Sequence, residues 1–330
     1  MPLGSEFFCP LTAIEGRINP EQKGYYETMD AKMKIGLALG SGSSRGWSHI
    51  GIIKELSMLG IEPDIVCGTS VGAMVGAAYV TGNIERLQSW ACSVTKFDVA
   101  RFLDISTSFT GFVNTERFNK FLCEYIASDK DLIEDLPKVY AAISTDLDTG
   151  KEVWLQKGSV IQAVWSSMAL PGLFPAIRHN NRWLVDGGLV NPVPVSVCRA
   201  LGADIVIAVN LNGDIVGKRL NKAVAKNVNT VSGKLSELVK EYTSLSSFEP
   251  ASMEQPPSLL DAIAASVNIT QDRVTRSRLA GEPPDIVFSP KLSGIGLLEL
   301  YRAEEAIEEG HKCVQRMAHE IEYVLGKTKR

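Results

Sequence analysis

The chain lacks any apolar run long enough to cross a bilayer. Its longest uncharged apolar stretch, Ile65 to Val80, is short and carries Gly68-Thr69-Ser70 inside it. It also lacks a C-x-x-C pair. The six cysteines are scattered at positions 9, 67, 92, 123, 198 and 313, which suggests neither a zinc site nor a disulfide framework and points to reduced thiols. Neither sign of charge dominates: 34 Lys and Arg stand against 38 Asp and Glu, a net charge of −4. That leaves no global footprint for nucleic acid. No secretory leader is expected from this start: Met1 to Phe7 reads as a protease-site and cloning scar and is set aside from the fold. With 45% apolar and 22% charged residues, disordered, collagen-like and coiled-coil chains are excluded. The expectation is a soluble, cytoplasmic protein, at most peripheral to a membrane.

What is present is an alternation of short apolar runs and helical spacings. Lys34 to Leu39 reads as a buried strand ended by glycine, and Gly40 to Gly46 as a Gly/Ser loop. Trp47 to Leu59 follows as a helix with Ile50, Ile53, Leu56 and Leu59 on one face. Asp64 to Cys67 is a second strand and Val71 to Val80 a helix of small residues. Helices are expected at Ile84 to Val94, Glu116 to Ile126, Val160 to Met168, Val195 to Leu201 and Leu259 to Arg278. Strands are expected at Val139 to Thr145, Glu152 to Leu155, Trp183 to Val185, Ile205 to Val209 and Asp285 to Phe288. One last helix is expected over Leu298 to Leu325. This order predicts an α/β fold, with a mainly parallel central sheet flanked by helices on both faces.

Gly68-Thr69-Ser70-Val71-Gly72 matches G-x-S-x-G between a strand and a helix, the context that the motif requires. The serine must occupy a strained turn whose neighbours lack side chains. Its hydroxyl then sits at a helix N-terminus, where negative charge is favoured. The bland alternative is a Gly-Ser turn chosen for tight packing. The loop Gly40-Ser41-Gly42-Ser43-Ser44-Arg45-Gly46 offers backbone N–H groups to an anion, either a phosphate or a catalytic oxyanion. As a Walker loop it lacks Gly-Lys-Ser/Thr, and as a dinucleotide fingerprint it places Arg45 where the third glycine belongs. Dinucleotide binding is therefore the runner-up.

No histidine stands in a base motif. His311 and His319 read as solvated on the last helix, His179 as part of a polar turn, and His49 as packing or capping the glycine loop. Asp186-Gly187-Gly188 is the better source of a base, although an Asp-Gly turn explains the local sequence equally well.

Loop, elbow and Asp-Gly-Gly, in this order, resemble the patatin-like phospholipase family, in the bacterial branch related to the catalytic domain of neuropathy target esterase. The resemblance runs from Lys34 to Leu211. It includes the stretches Ser144 to Gly150, Ala169 to Pro175 and Asn191-Pro192-Val193-Pro194. It implies a Ser–Asp dyad, with Ser70 as nucleophile and Asp186 as general base. It also implies an oxyanion hole in the loop Gly40, Ser41, Gly42, Ser43, Arg45 and Gly46, with the donors at Gly42 and Ser43. Arg45 would brace the loop or meet lipid phosphate. Gly68, Gly72, Gly187 and Gly188 support the motifs. The family commonly has three consecutive glycines where this chain reads Ser41-Gly42-Ser43, so a serine there with positive φ would be strained.

The implied reaction is two-step acyl transfer from phospholipid or lysophospholipid, with no metal and no cofactor. A non-catalytic patatin-fold scaffold that binds lipid or a partner is the remaining alternative. The motif spread predicts a tail over 1–33, a catalytic domain over 34–211 and a helical C-terminal extension over 212–330 with a variable basic segment at 213–256. Lys222 to Tyr242 reads either as a basic amphipathic helix that meets lipid or as a core or homodimer-facing helix.

Overall fold

In a computed structural model, residues 33–102, 115–214 and 259–326 are described. The expected tail, except its last residue Met33, and the Lys222 to Tyr242 stretch lie outside them, as does all of 213–256 beyond its first two residues.

Strand β1 (Ile35–Leu39) runs into a short 3-10 turn at Ser43–Trp47 and then helix α1 (Ser48–Met58). Next come β2 (Ile65–Thr69), α2 (Val71–Val80), α3 (Ile84–Ser93), α4 (Lys96–Phe102) and α5 (Thr115–Tyr125). The middle of the chain holds β3 (Val139–Asp146), β4 (Glu152–Leu155), α6 (Val160–Met168), β5 (Ile177–His179) and β6 (Arg182–Asp186). The rest is α7 (Val195–Ala200), β7 (Ile205–Val209), α8 (Leu259–Gly281), β8 (Ile286–Phe288), α9 (Ala303–Gln315) and α10 (Ala318–Val324).

Among the described residues, the eight strands form one sheet. β3, β2, β1, β7 and β8 are parallel neighbours in that order, while β4 and β6 pair antiparallel with β3 and β5 antiparallel with β6. The parallel strands are buried on both faces, which is why they read as continuous apolar runs. Their residues alternate between two core clusters. Leu37, Leu39, Val66, Tyr140, Ile207 and Val209 face the larger one with α1, α2 and α6. Ala38, Cys67, Ala141, Val206 and Ala208 face the smaller one with Val195, Val197 and Cys198 of α7. Helix α2 is buried almost all round, which explains its lack of a polar stripe.

Three expectations change. The last helix is not continuous: a 3-10 turn at Leu300–Arg302 precedes α9, and Met317 (φ −112°) separates α9 from α10. That break redirects the chain so that Ile321 still enters the core. β5 was not expected, being only three residues long; it pairs with β6 through Asn180 and Asn181, both at positive φ, a hairpin turn geometry. His311 is only partly exposed: its Nδ1 lies 2.9 Å from Glu55 Oε2 on α1.

That pair sits beside a close helix crossing. A Cβ on Gly51 of α1 would collide with the Ile307 carbonyl of α9, and one on Gly310 would collide with the Ser48 carbonyl. Gly51→Ala is expected to cost ~1–3 kcal/mol through overpacking, read as a lower urea midpoint. An unchanged midpoint would contradict this crossing.

Candidate active site

The register along β3 brings the two motifs together. On one edge, Ala142 to Thr145 face Leu155 to Glu152 of β4. On the other edge, β3 pairs first with β2, up to Ile143 opposite Thr69, and then with β6, from Ser144 opposite Asp186. β2 and β6 therefore share one edge end to end and run toward each other. Ser70, the next residue after Thr69, meets Asp186 where the two strands stop.

Ser70 adopts φ 57° and ψ −123° at the start of α2, a conformation L residues rarely hold. The turn closes only because its flanks lack side chains. A Cβ on Gly68 would strike Gly72 O and Ala73, and one on Gly72 would strike the Leu39 carbonyl. The strained peptide is held by Ser167 of α6, whose Oγ accepts the Ser70 N–H (2.8 Å) and donates to the Ile143 carbonyl (2.6 Å). Ser167 was missed in the sequence because a lone serine in a helix carries no local signal.

Ser70 Oγ donates to Asp186 Oδ2 at 2.6 Å. The other carboxylate oxygen, Oδ1, accepts the Gly188 N–H at 2.7 Å. Asp186 is 1% exposed. Burial pushes its carboxyl up from the ordinary value to about 6, against the opposing pull of the bonds from Ser70 and Gly188.

The glycine loop lies alongside, at the end of β1. The N–H of Gly40 donates to Val209 O (3.1 Å) and that of Ser41 to Pro192 O (2.9 Å). Further on, Ser44 N–H donates to Leu297 O (3.3 Å) and Arg45 N–H to Gly42 O (3.3 Å). From Gly40 to Arg45, Gly42 and Ser43 are the residues whose N–H groups none of these bonds takes up. Ser43 carries the positive φ, 51°, and its hydroxyl is tied to Leu297 O at 2.6 Å. Arg45 is buried, donating from Nε to Gly42 O (3.2 Å) and from Nη2 to Asn268 Oδ1 (2.7 Å), so it braces the loop. His49 caps the loop from beneath. Its Nε2–H donates to the Gly40 carbonyl at 2.8 Å, and burial lowers its pKa to about 4. It is neutral at pH 7 and bonded away from Ser70.

Residues 37–199 match the family model described as patatin-like phospholipase. The chain carries a patatin-like phospholipase domain. It is 29% identical over 326 residues to an uncharacterized NTE family protein of Mycobacterium tuberculosis, covering 84% of this chain and 89% of that one. It is also 29% identical over 287 residues to lysophospholipase NTE1 of Pyricularia oryzae, covering 84% of this chain but 18% of that protein. With patatin-like phospholipase domain-containing protein 6 of Mus musculus it shares 34% identity over 184 residues, covering 54% of this chain and 13% of that one. Among solved structures, VipD from Legionella pneumophila superposes with a TM-score of 0.45 at 13% identity, over 90% of this chain and 67% of that one; at that distance it carries no argument. No helix among the described residues is long and apolar enough to cross a membrane.

The buried carboxylate of Asp186 has a stability signature. An unfolded Asp loses its proton near pH ~3.9, whereas Asp186 in the fold does so at about 6. Between these values the folded chain binds more protons, so stability falls as pH rises through the window. Asp186→Asn removes this penalty. It is expected to stabilise the fold by roughly 2–3 kcal/mol at pH 7 and by little at pH 4, read from urea midpoints. Equal destabilisation at both pH values would contradict the assignment.

Proposed function

We propose that the protein is a serine acyl hydrolase that cleaves the carboxylic esters of phospholipids or lysophospholipids through a Ser70–Asp186 dyad. The observation that carries this reading is the 2.6 Å bond from Ser70 Oγ to a carboxylate buried beside a strained elbow. A patatin-like domain over residues 37–199 and lysophospholipase relatives support the choice of lipid ester.

The chemistry proceeds as acyl transfer in two steps. Ser70 Oγ attacks the ester carbonyl carbon while its proton passes to Asp186 Oδ2. The carbonyl oxygen becomes an oxyanion and accepts the N–H groups of Gly42 and Ser43. Collapse expels the alcohol half of the lipid, which takes the proton from Asp186, and leaves an acyl-serine. Water then attacks, gives its proton to Asp186, and the second collapse releases the fatty acid and restores Ser70. An Asp is ordinarily too acidic to serve as a base at neutral pH. A carboxyl raised to about 6 is a stronger base and remains ionised at pH 7.

The dinucleotide alternative gains no support from the loop. Gly40 and Ser41, which open it, direct their N–H groups into the fold rather than toward a ligand.

A fluorophosphonate probe should label the wild type and leave Ser70→Ala unlabelled, with hydrolysis of short-chain esters and lysophospholipid lost in step. Labelling that survives the alanine change would sink the dyad. A folded wild type inert to probe and esters would favour the non-catalytic scaffold.

A further inference from the structure

In a trans peptide the C=O and N–H point to opposite sides, so whatever grips the carbonyl aims the N–H. The Gly42 N–H belongs to the peptide of the Ser41 carbonyl, which accepts Asn212 Nδ2–H at 3.3 Å. The Ser43 N–H belongs to the peptide of the Gly42 carbonyl, which accepts both the N–H and the Nε–H of Arg45. Each proposed oxyanion donor is therefore aimed by one buried side chain, Asn212 at 1% exposure and Arg45 at 2%.

Both side chains are held in turn by helix α8. Asn212 Nδ2 also donates to Gln271 Oε1 at 3.2 Å, and Arg45 Nη2 donates to Asn268 Oδ1 at 2.7 Å. Asn268 and Gln271 stand three residues apart, on one face of the helix. The same face continues through Thr275, which is buried, to Arg278. Arg278 Nη2 donates to Glu152 Oε2 at 2.8 Å, and Glu152 Oε1 accepts Asn191 Nδ2 at 2.9 Å. Asn191 O in turn accepts the hydroxyl of Thr69, the residue before Ser70, at 2.8 Å. A surface helix normally turns its apolar stripe inward. α8 turns a row of amides, a hydroxyl and a guanidinium toward the site instead.

We infer that Asn268 and Gln271 are positioning residues that set the oxyanion hole from α8, the first through Arg45 and the second through Asn212. This rests on the proposed acyl-hydrolase reading. Without the Asn268 acceptor, the Arg45 guanidinium is free to leave the Gly42 carbonyl, which then keeps only the longer bond from the Arg45 N–H. Without the Gln271 acceptor, Asn212 is free to leave the Ser41 carbonyl. In either case the peptide can rotate and its N–H no longer meets the developing oxyanion. Substrate binding is left intact, because the loss is felt where charge develops.

The test uses the full chain and a short-chain ester. Asn268→Leu and Gln271→Met are each expected to lower kcat about tenfold with KM within twofold, a smaller loss than the ~10²–10³ of deleting a donor outright. Two double-mutant cycles then ask whether each residue acts through its partner. Asn268→Leu should add no further loss to Arg45→Met, and Gln271→Met none to Asn212→Leu. If one arm fails to fold, as judged by its thermal midpoint, the other cycle carries the test alone. Wild-type kcat in both single variants, or losses that multiply within the cycles, would overturn the inference while leaving the hydrolase reading intact. A wild type inert to ester and fluorophosphonate alike would overturn both.

Discussion

A carboxylate without water around it is the constraint on which the rest of the site depends. Asp186 is enclosed at the meeting of two strand ends, where it has one hydroxyl and one backbone N–H for company. Losing water raises its affinity for a proton, and the two hydrogen bonds limit how far. A fully solvated aspartate would be too weak a base for a serine hydroxyl. One buried with no donors would stay protonated at neutral pH and could accept nothing. In the proposed dyad the hydroxyl of Ser70 is both the partner of the carboxylate and the source of its proton.

Everything nearby serves to hold that pair in register. The shared edge of β3 sets the distance between the strands that carry it, and Ser167 fastens the strained peptide of Ser70 to the same strand. The glycine loop is fixed by His49 and by Arg45, so the peptides of the proposed oxyanion hole are held by the fold itself. For the proposed acyl transfer, preorganisation of this kind exchanges folding stability for transition-state stabilisation. A carboxylate that weakens the fold while it is ionised is one instance, and the positive φ of Ser70 and Ser43 is another.

Much of this was legible in the sequence, for uneven reasons. The elbow was readable because its chemistry and its steric demand fall within five consecutive residues, Gly68 to Gly72. The parallel strands were readable because burial on both faces leaves unbroken apolar runs. Asp186 was ambiguous locally, since a turn and a base both favour Asp-Gly; the pairing of Ser144 with Asp186, which brings it beside Ser70, is a long-range feature that no local pattern carries. The substitution of Ser43 for glycine flagged a strained position, and the backbone carries positive φ there. Not legible was the role of α8. Its inward face is polar, so periodicity of apolar residues points away from what that face does. His311 was misplaced for a related reason, since charged neighbours along the chain hid its partner Glu55 on another helix. β5 was too short to show a pattern.

The central claim is that burial, and not a histidine, makes the base strong enough. It is tested most directly by the pH dependence of kcat/KM for a non-ionising ester, which reports the free enzyme's essential base. The account predicts an acid limb with an apparent pKa near the value of about 6 set by the burial of Asp186, and a plateau above it. A limb near the ordinary carboxylate value of ~3.9 would contradict it, because Asp186 would then be solvated and too weak a base for the proposed proton transfer.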